Sequence, residues 1–376
     1  EYSVPLILGV VLALVWANLS PETYETIIHT PFLGPINVHL LVNDVFMLFF
    51  FASAGVEIVN SISPGGALNP VKKAVTPLLA TCGGVLGPIA MFFIFNNLFG
   101  APEYSNGWGI CTATDIALAW LVAKMVFGKK HPAVSFLLLL AVVDDAIGLV
   151  IIAIFYPDPS APTMPIWLLL VAAGMLIAFF LRKKNVQNWV PYIFVAGTIA
   201  WIGMYNAHLH PALALVFIVP FLPRTGKVIA SPNTRGLNDA VGYSPLQQFE
   251  KKVSPFVDYG LILFGLANAG VSFSNVTNLT WIVCLSLILG KTIGISLFTY
   301  IATLLKFKLP ENMTARDVIT AGVVGGMGLT VALFVAGSAY TDMALQGAAK
   351  MGALFTAGAS IIALVVGQAL RVKKMK

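Results

Sequence analysis

The sequence predicts an all-α polytopic membrane protein, and three observations lead to that prediction. Of the 376 residues, 58% are hydrophobic and only 10% are charged, which would leave a soluble fold too little polar surface to stay dispersed. Apolar runs of about 18 to 25 residues, the length that a helix needs to cross hydrocarbon, recur along the whole chain. The runs lack the period-two alternation of barrel strands, so helices must satisfy their backbone hydrogen bonds.

The apolar runs predict about 12 transmembrane helices within a single domain, residues 1–376. The first run has no basic residues before it and no small-residue cleavage site after it, so it is interpreted as a helix and not as a signal peptide. The predicted spans cover about 4–18, 40–60, 74–97, 108–125, 132–156, 166–181, 190–204, 211–222, 255–272, 280–304, 317–340 and 348–370.

Basic residues give the orientation of these spans. With these twelve spans, 20 of the 22 Lys and Arg residues fall on one side of the membrane, and the loops on the opposite side have none. Loops that stay in the cytoplasm carry the Lys and Arg excess, so both termini are predicted to be cytoplasmic. The net charge of +6 therefore reports topology, and membrane lipids rather than a nucleic acid are the predicted partners.

Two loops are longer than the others. The outer loop, SPETYETIIHTPFLGPINVH, has β-branched runs broken by FLGPIN and is interpreted as a hairpin on the membrane surface or in a dimer contact. The inner loop, 223–254, is polar and ends with Glu250, Lys251 and Lys252 before the ninth span. The three cysteines lie in apolar runs at unrelated spacings and are interpreted as packing residues.

Four charged residues lie well inside predicted spans: Asp115, Asp144, Asp145 and Lys291. An ionised side chain at the bilayer centre costs about 2.5 to 3.5 kcal/mol on insertion scales, so such residues usually face a cavity and have a function. A structural ion pair between helices is the alternative. Clustering of all four favours a functional site.

The adjacent aspartates in LLLLAVVDDAIGLVIIAIF point about 100° apart on a helix, so Asp144 and Asp145 cannot both face one partner. Two carboxylates in a low-dielectric site repel each other, so at least one is expected to exchange a proton near physiological pH. Lys291, in LILGKTIGIS, either neutralises one aspartate permanently or releases its proton when that aspartate is engaged elsewhere.

Two spans contain sequences that indicate interrupted helices. TATDIALAW, 112–120, places hydroxyls and Asp115 at mid-span, and GVVGGMGLT, 322–330, crowds four glycines into another span. Close helix packing through small residues is the alternative for the glycines. Interrupted spans at matching places in two halves indicate a transporter site at the midplane. Their half-helix ends carry partial charges of both signs, which Asp115 and Lys291 are suited to balance.

The motifs TATDIA, AVVDDAIG, LANAGV and GKTIGISLF, with the glycine-rich eleventh span, resemble the NhaA-type sodium/proton antiporters of bacteria over nearly the whole chain. This resemblance implies a protein of the bacterial cell inner membrane with inverted repeats and two discontinuous, crossing helices. It also implies a core bundle at about 74–156 and 280–370 and an interface or dimerisation part at about 1–60 and 166–272. A homodimer is left open.

The resemblance also assigns roles to residues. It implies Asp145 as the main Na+ ligand, with Asp144 and Thr114 contributing, and Asp144 paired with Lys291 in one protonation state. Asp115 matches the carboxylate at the helix crossing. Glu57 matches a glutamate at the inner end of the second span, and Glu250 falls where the family has a glutamate implicated in sensing pH.

Two departures concern regulation. This chain has Asn60 and Ser61 where well-known family members carry an arginine and an acid, and its inner loop, 223–254, has no histidine. The core motifs are intact, so the exchange chemistry is expected and the active pH range is left open.

The function predicted from the sequence is electrogenic, pH-regulated exchange of cytoplasmic Na+ or Li+ for external H+, with no enzyme activity and no cofactor. Three alternatives belong to other classes: a sodium-coupled solute symporter, a cation channel and an intramembrane aspartyl protease. The protease would need its aspartates on separate helices in Tyr-Asp and Gly-x-Gly-Asp settings, which are missing from these sites.

Overall fold

The computed structural model describes residues 3–32, 34, 36–69, 71–157, 162–225, 228–229, 240–241 and 243–375. These residues are predominantly helical because long apolar segments satisfy their backbone hydrogen bonds locally. The helices are Ser3–Leu19, Pro21–His29, Val38–Ile62, Val71–Phe99, Pro102–Cys111, Ile116–Phe127, Pro132–Phe155, Pro165–Lys183, Tyr192–Gly197 continued by Thr198–Asn206, Pro211–Phe221, Pro245–Asn268, Asn278–Leu304, Ala315–Gly325, Thr330–Ala339 and Met343–Ala369.

The inner loop adds a short exception to the all-α prediction. Val228–Ile229 pairs antiparallel with Ala240–Val241, with Val228 opposite Val241 and Ile229 opposite Ala240. Three of the basic residues assigned to the cytoplasmic side, Lys227, Arg235 and Lys376, lie outside the described residues.

The number of clear membrane spans is smaller than the predicted twelve. Within the described ranges, six helices are long and apolar enough to cross a membrane, and two bent helix pairs raise this to eight. The remaining predicted spans coincide with shorter apolar helices, such as Val4–Leu19 and Pro211–Phe221, or with a more polar one. Pro245–Asn268 has 24 residues but carries Glu250 and three other charged side chains.

The chain forms two compact units. The first consists of Glu1–His39, Asn60–Tyr156 and Leu261–Lys376, and it contains both bent helix pairs. The second consists of Leu40–Val59 and Pro157–Gly260. Many large apolar side chains remain exposed, among them Ile361 at 67%. Exposed apolar helix faces of this extent are expected where helices contact lipid.

The outer segment corrects one prediction. Pro21–His29 is a helix, so the predicted hairpin is wrong for these residues. Tyr24 and Ile28 lie one helical turn apart and are both buried, and the Tyr24 hydroxyl donates to the Leu266 carbonyl at 2.8 Å. In the FLGPIN turn, Phe32 N–H donates to Ile36 O, and residues 33 and 35 lie outside the described residues.

Two pairs of glycines bring the helices Val71–Phe99 and Asn278–Leu304 into close contact. Gly83 and Gly87 face Gly294 and Gly290, and both pairs have the four-residue spacing that allows helix backbones to approach. A Cβ built on Gly294 would overlap the Gly83 carbonyl oxygen. This close approach fixes the position of the helix Asn278–Leu304 against Val71–Phe99. Lys291 follows Gly290 directly, so its position is fixed as well.

The glycine contact gives a first prediction. Gly294→Ala is expected to destabilise the protein by about 1 to 3 kcal/mol, because the added methyl group must displace the backbone at Gly83. Gly337→Ala is the matched control, since nothing lies within 4 Å of the built Cβ in its helix. Thermal unfolding of the purified protein in detergent, followed by circular dichroism, should show a lower midpoint for the first variant only. Equal midpoints would contradict the close approach.

Candidate functional site

The candidate site lies in the first unit, where two helix pairs are interrupted. Pro102–Cys111 and Ile116–Phe127 are bent by 62° across residues 112–115, and Ala315–Gly325 and Thr330–Ala339 are bent by 50° across residues 326–329. Glycines favour such a break because they leave the backbone free to change direction. Each interruption exposes backbone donors and acceptors that must find partners inside the protein.

The two interruptions satisfy part of this need by contacting each other. The backbone N–H of Asp115 donates to the Met327 carbonyl at 2.8 Å. The Thr114 hydroxyl lies 2.9 Å from the Gly325 carbonyl and 2.8 Å from Asp144 Oδ2, and it can donate its proton to either. The two broken helices therefore meet at these residues.

Asp115 occupies the N-terminal ends of both C-terminal half-helices. Its Oδ1 accepts from Leu118 N–H at 3.0 Å and caps Ile116–Phe127. Its Oδ2 accepts from the backbone N–H and hydroxyl of Thr330, at 3.2 and 3.1 Å, where Thr330–Ala339 begins. A carboxylate at two helix N-termini is stabilised by their positive partial charges. One buried acid thus serves as the cap for both half-helices.

Lys291 provides the opposite charge and is fully buried. Its ammonium donates to Asp144 Oδ2 at 2.6 Å and to the Thr112 carbonyl at 2.7 Å. Thr112 ends the half-helix Pro102–Cys111, so the lysine lies at a helix C-terminus, where cations are stabilised. The ion pair therefore bridges three helical segments.

The paired aspartates lie on the uninterrupted helix Pro132–Phe155, and both are buried. Asp144 Oδ2 accepts hydrogen bonds from the Lys291 ammonium and from the Thr114 hydroxyl. Asp144 Oδ1 has no hydrogen-bond partner among the described residues. Gly84 opposite leaves room beside this oxygen, since a Cβ there would lie 3.6 Å from Oδ1. Asp145 follows at 6% exposure, about 100° around the helix.

The structure brings together five of the seven predicted site residues: Thr114, Asp115, Asp144, Asp145 and Lys291. The other two belong to the second unit. Glu57 and Glu250 are both exposed there, and their carboxylates lie close enough for electrostatic repulsion. They form a separate acidic pair.

A protein-family model described as Na+/H+ antiporter 1 matches residues 2–370. The chain belongs to this antiporter family. The curated Na(+)/H(+) antiporter NhaA of Desulfitobacterium hafniense (strain DSM 10664 / DCB-2) is 57% identical over 378 residues, covering 100% of this chain and 96% of that protein. The Na(+)/H(+) antiporter NhaA of Geobacter sulfurreducens is 54% identical over 375 residues, covering 100% of this chain and 97% of that protein.

Among solved structures, the sodium proton antiporter MjNhaP1 from Methanocaldococcus jannaschii at pH 8 is similar to this antiporter-family chain, with a TM-score of 0.57. The sequence identity is 15%, and the match covers 97% of both chains. Because the identity is this low, the similarity is evidence of a shared fold only. The family resemblance predicted from the motifs is thus confirmed, and the chain is a multi-pass membrane protein of a transporter family.

Sequence reasoning missed two supporting residues of this candidate site. Thr330 contributes its hydroxyl to Asp115, and Thr356 hydrogen-bonds to both the N–H and the carbonyl of Gly328 at 3.2 and 3.0 Å. Thr356 interrupts the helix Met343–Ala369 with one 3-10 turn. A hydroxyl directly after a glycine-rich stretch, as at Thr330, is a usable signal. No such sequence signal marks Thr356, because it lies 28 residues away from Gly328 along the chain.

The arrangement offers oxygen ligands beside a buried cation. Carboxylates of Asp144 and Asp145, the Thr114 hydroxyl and backbone carbonyls of the interrupted segments are the ligand types that hard cations prefer. With both aspartates ionised and Lys291 protonated, these three side chains would carry a net charge of −1, from −2 and +1. One monovalent cation or one proton would neutralise it.

Proposed function

We propose that this protein exchanges cytoplasmic Na+ or Li+ for external H+ across the bacterial inner membrane. The observation that carries the proposal is the Lys291–Asp144 ion pair at 2.6 Å, next to Asp145, where two interrupted helices meet. Its parts suit a site that holds either a metal ion or protons. The names of the Desulfitobacterium and Geobacter relatives support the same exchange.

In the cation-bound state, Asp145 is the main ligand, and Asp144 and Thr114 contribute oxygens. The proposal is supported by burial, since a low-dielectric site strengthens the attraction between carboxylate and cation. Asp144 Oδ1 is the oxygen on that residue without a hydrogen bond from the described residues, so it is available as a ligand. Cavity size and ligand number would select Na+ and Li+ over larger cations.

In the proton-bound state, the aspartates take up protons and release the cation. Lys291 holds Asp144 by its 2.6 Å contact, and a cation on Asp144 would compete with the ammonium for the same carboxylate. Exchange is electrogenic when more than one proton moves for each cation, and a lysine that gives up its proton on cation binding would provide the second. Asp115 stays as the cap at the crossing, because it already accepts three hydrogen bonds.

For the architecture, we propose twelve membrane helices with inverted repeats, and a core bundle at about 74–156 and 280–370 that moves against an interface part at about 1–60 and 166–272. Two bent helix pairs, one in each half of the chain, support the repeats. Lys and Arg on one side of the predicted spans support cytoplasmic termini. A homodimer through the interface part is compatible with this division.

For regulation, we propose that Glu57 and Glu250 respond to cytoplasmic pH. The support is their electrostatic repulsion on two helices of the second unit. Protonation of either carboxylate would remove the repulsion and favour a different packing of the two helices.

The exchange is tested in vesicles reconstituted with purified protein and loaded with acid and an internal pH dye. Addition of external NaCl is expected to drive protons out of the vesicles, and LiCl should act in the same way, whereas choline chloride should not. With a potassium gradient and valinomycin, the rate should depend on membrane potential. Proton movement without Na+ would indicate a channel, and Na+ uptake that requires an organic solute would indicate a symporter.

A further inference from the structure

A cavity of about 170 Å³ lies in the first unit, outside the ion site. It opens where the helix Ile116–Phe127 ends and the helix Met343–Ala369 gives way to the C-terminal tail. Four of its lining residues present apolar groups or no side chain, and three present a cation or an amide. The lining residues are Val126, Leu364, Gly367, Gln368, Arg371, Val372 and Lys374.

The tail that forms one wall of this cavity is held in place by backbone contacts. Met375 N–H donates to the Phe127 carbonyl at 2.9 Å, and Val372 N–H donates to the Gly367 carbonyl at 2.9 Å. Arg371 has a positive φ of 54°, which turns the chain back after the helix. The backbone that carries Arg371 and Lys374 is thus held beside the ends of the two helices.

Both helices that line the cavity also expose large apolar side chains. Leu121 and Met125, one turn apart on the first helix, are 38% and 50% exposed, and Ile361 and Val365 on the second are 67% and 59% exposed. Large apolar side chains exposed at four-residue spacing form a stripe that only an apolar environment covers favourably. The two helices that supply Val126 and Leu364 to the cavity therefore expose apolar surface suited to lipid next to these residues in the sequence.

Two residues of types common at the membrane–water boundary lie near the end of the helix that supplies Val126. Lys124, one turn before the end of its helix, places its ammonium 2.8 Å from the Trp120 ring centroid. Tryptophan and lysine concentrate at this boundary because each has an apolar body and a polar end. Arg371 and Lys374 follow the last predicted span, in the segment that the charge distribution of the sequence assigns to the cytoplasmic side.

We propose that this cavity binds the headgroup phosphate of an anionic phospholipid such as phosphatidylglycerol. Arg371 and Lys374 bind the phosphate, Gln368 adds a hydrogen bond, and the acyl chains extend along Leu364 and Val126. A phospholipid combines a phosphate at the interface with chains in hydrocarbon, which matches the arrangement of basic and apolar walls. A bound lipid would brace the tail against the end of Ile116–Phe127, the half-helix that Asp115 caps.

The test compares the double variant Arg371→Gln/Lys374→Gln with Lys373→Gln. Lys373 is the matched control, because it is an exposed lysine of the same tail that does not line the cavity. Proteins in nanodiscs of phosphatidylcholine with about 20% phosphatidylglycerol are delipidated stepwise. Retained phosphatidylglycerol is counted by native mass spectrometry.

One basic residue near an anionic lipid contributes about 1 kcal/mol, or about fivefold in binding. The double variant is therefore expected to retain phosphatidylglycerol about 25-fold more weakly than the natural protein, and Lys373→Gln to retain it within about twofold. Loss of the same size in both variants would overturn the proposal, since it would reflect the general charge of the tail.

Two further arms separate the sources of phosphate and possible unfolding. Inorganic phosphate in phosphatidylcholine nanodiscs is expected to leave the thermal midpoint unchanged, because it cannot fill the apolar end. Stabilisation by phosphate equal to that by phosphatidylglycerol would overturn the assignment to a lipid. In pure phosphatidylcholine, the thermal midpoint of the double variant is expected within error of that of Lys373→Gln. A large difference there would overturn the proposal by attributing the loss of lipid to folding.

Discussion

Asp145→Asn is expected to abolish sodium-driven proton movement in reconstituted vesicles. The amide has nearly the same shape as the carboxylate, so the buried helix Pro132–Phe155 should keep its packing. The asparagine side chain carries no charge, so it does not attract Na+. It also cannot take up or release a proton, so Na+ and H+ no longer compete at this position. Removal of one buried charge partner costs about 2 to 5 kcal/mol, which weakens Na+ binding by about 30-fold or more.

The measurement is the initial rate of pH change inside acid-loaded vesicles after addition of NaCl, at equal protein density. Asp258→Asn is the control, because Asp258 is a partly buried aspartate on Pro245–Asn268 and belongs to the other unit. It should retain the rate of the natural protein. A normal rate in Asp145→Asn would remove Asp145 from the site, and an equal loss in both variants would indicate damage to folding.

A second measurement tests directly whether Na+ and H+ compete for the same site. Addition of NaCl to the purified protein in weakly buffered detergent is expected to release protons into solution, and calorimetry in buffers of different ionisation enthalpy gives the number released. The release should be absent in Asp145→Asn. Na+ binding that releases no protons from the natural protein at any pH would contradict exchange at a shared site.

Sequence reasoning selected the candidate site residues because charged side chains are unfavourable in lipid. Asp115, Asp144, Asp145 and Lys291 each carry a charge inside an apolar run, and this single fact selects them from 376 residues. The polar and glycine-rich stretches also predicted both interruptions, which the structure has as bends of 62° and 50°. Local composition is sufficient for such predictions, since a break needs hydroxyls or glycines in place.

Other features depend on contacts between distant residues, which local patterns do not reveal. Thr356 hydrogen-bonds to Gly328 across 28 residues, and its hydroxyl looks like any other in an apolar helix. The count of clear spans also differed, because Pro211–Phe221 is too short to cross a bilayer on its own length. The four-residue glycine spacings at 83–87 and 290–294 are visible in the sequence, but only the structure matches them to each other.

The outer segment shows how propensity misled the prediction. The β-branched residues of SPETYETIIHT favour a strand, but Pro21 and Glu22 suit a helix start, and Tyr24 and Ile28 bury one face together. Tertiary burial of two apolar residues one turn apart outweighs the weak preference of single residues.

The ion pair gives the second large prediction. Lys291→Met is expected to destabilise the protein by about 3 to 5 kcal/mol, because it leaves the buried Asp144 carboxylate without its cation. The Thr112 carbonyl at the end of Pro102–Cys111 also loses the ammonium that it accepts from at 2.7 Å. The methionine fills similar volume, so the loss measures charge and hydrogen bonding more than packing.

A second substitution separates these contributions. Asp144→Asn in the Lys291→Met background removes the uncompensated charge, so the double variant should recover a large part of the lost thermal stability. Lys350→Met is the control, since Lys350 is the other buried lysine of the described residues, at 8% exposure, and lies on Met343–Phe355. Adding Asp144→Asn to it should produce no recovery, because the ion pair of Asp144 is made with Lys291.

The same double variant, Lys291→Met/Asp144→Asn, also tests whether Lys291 takes part in proton exchange. Recovery of stability without recovery of sodium-driven proton movement is the expected combination, because the two substitutions together remove both charges of the ion pair but leave Asp145 as the one acid of the two adjacent aspartates. If stability failed to recover, the loss in Lys291→Met would come from the Thr112 carbonyl and from packing, and the uncompensated charge of Asp144 would not be its cause. If transport recovered as well, the lysine would take no part in proton exchange, and its function would be confined to neutralising Asp144.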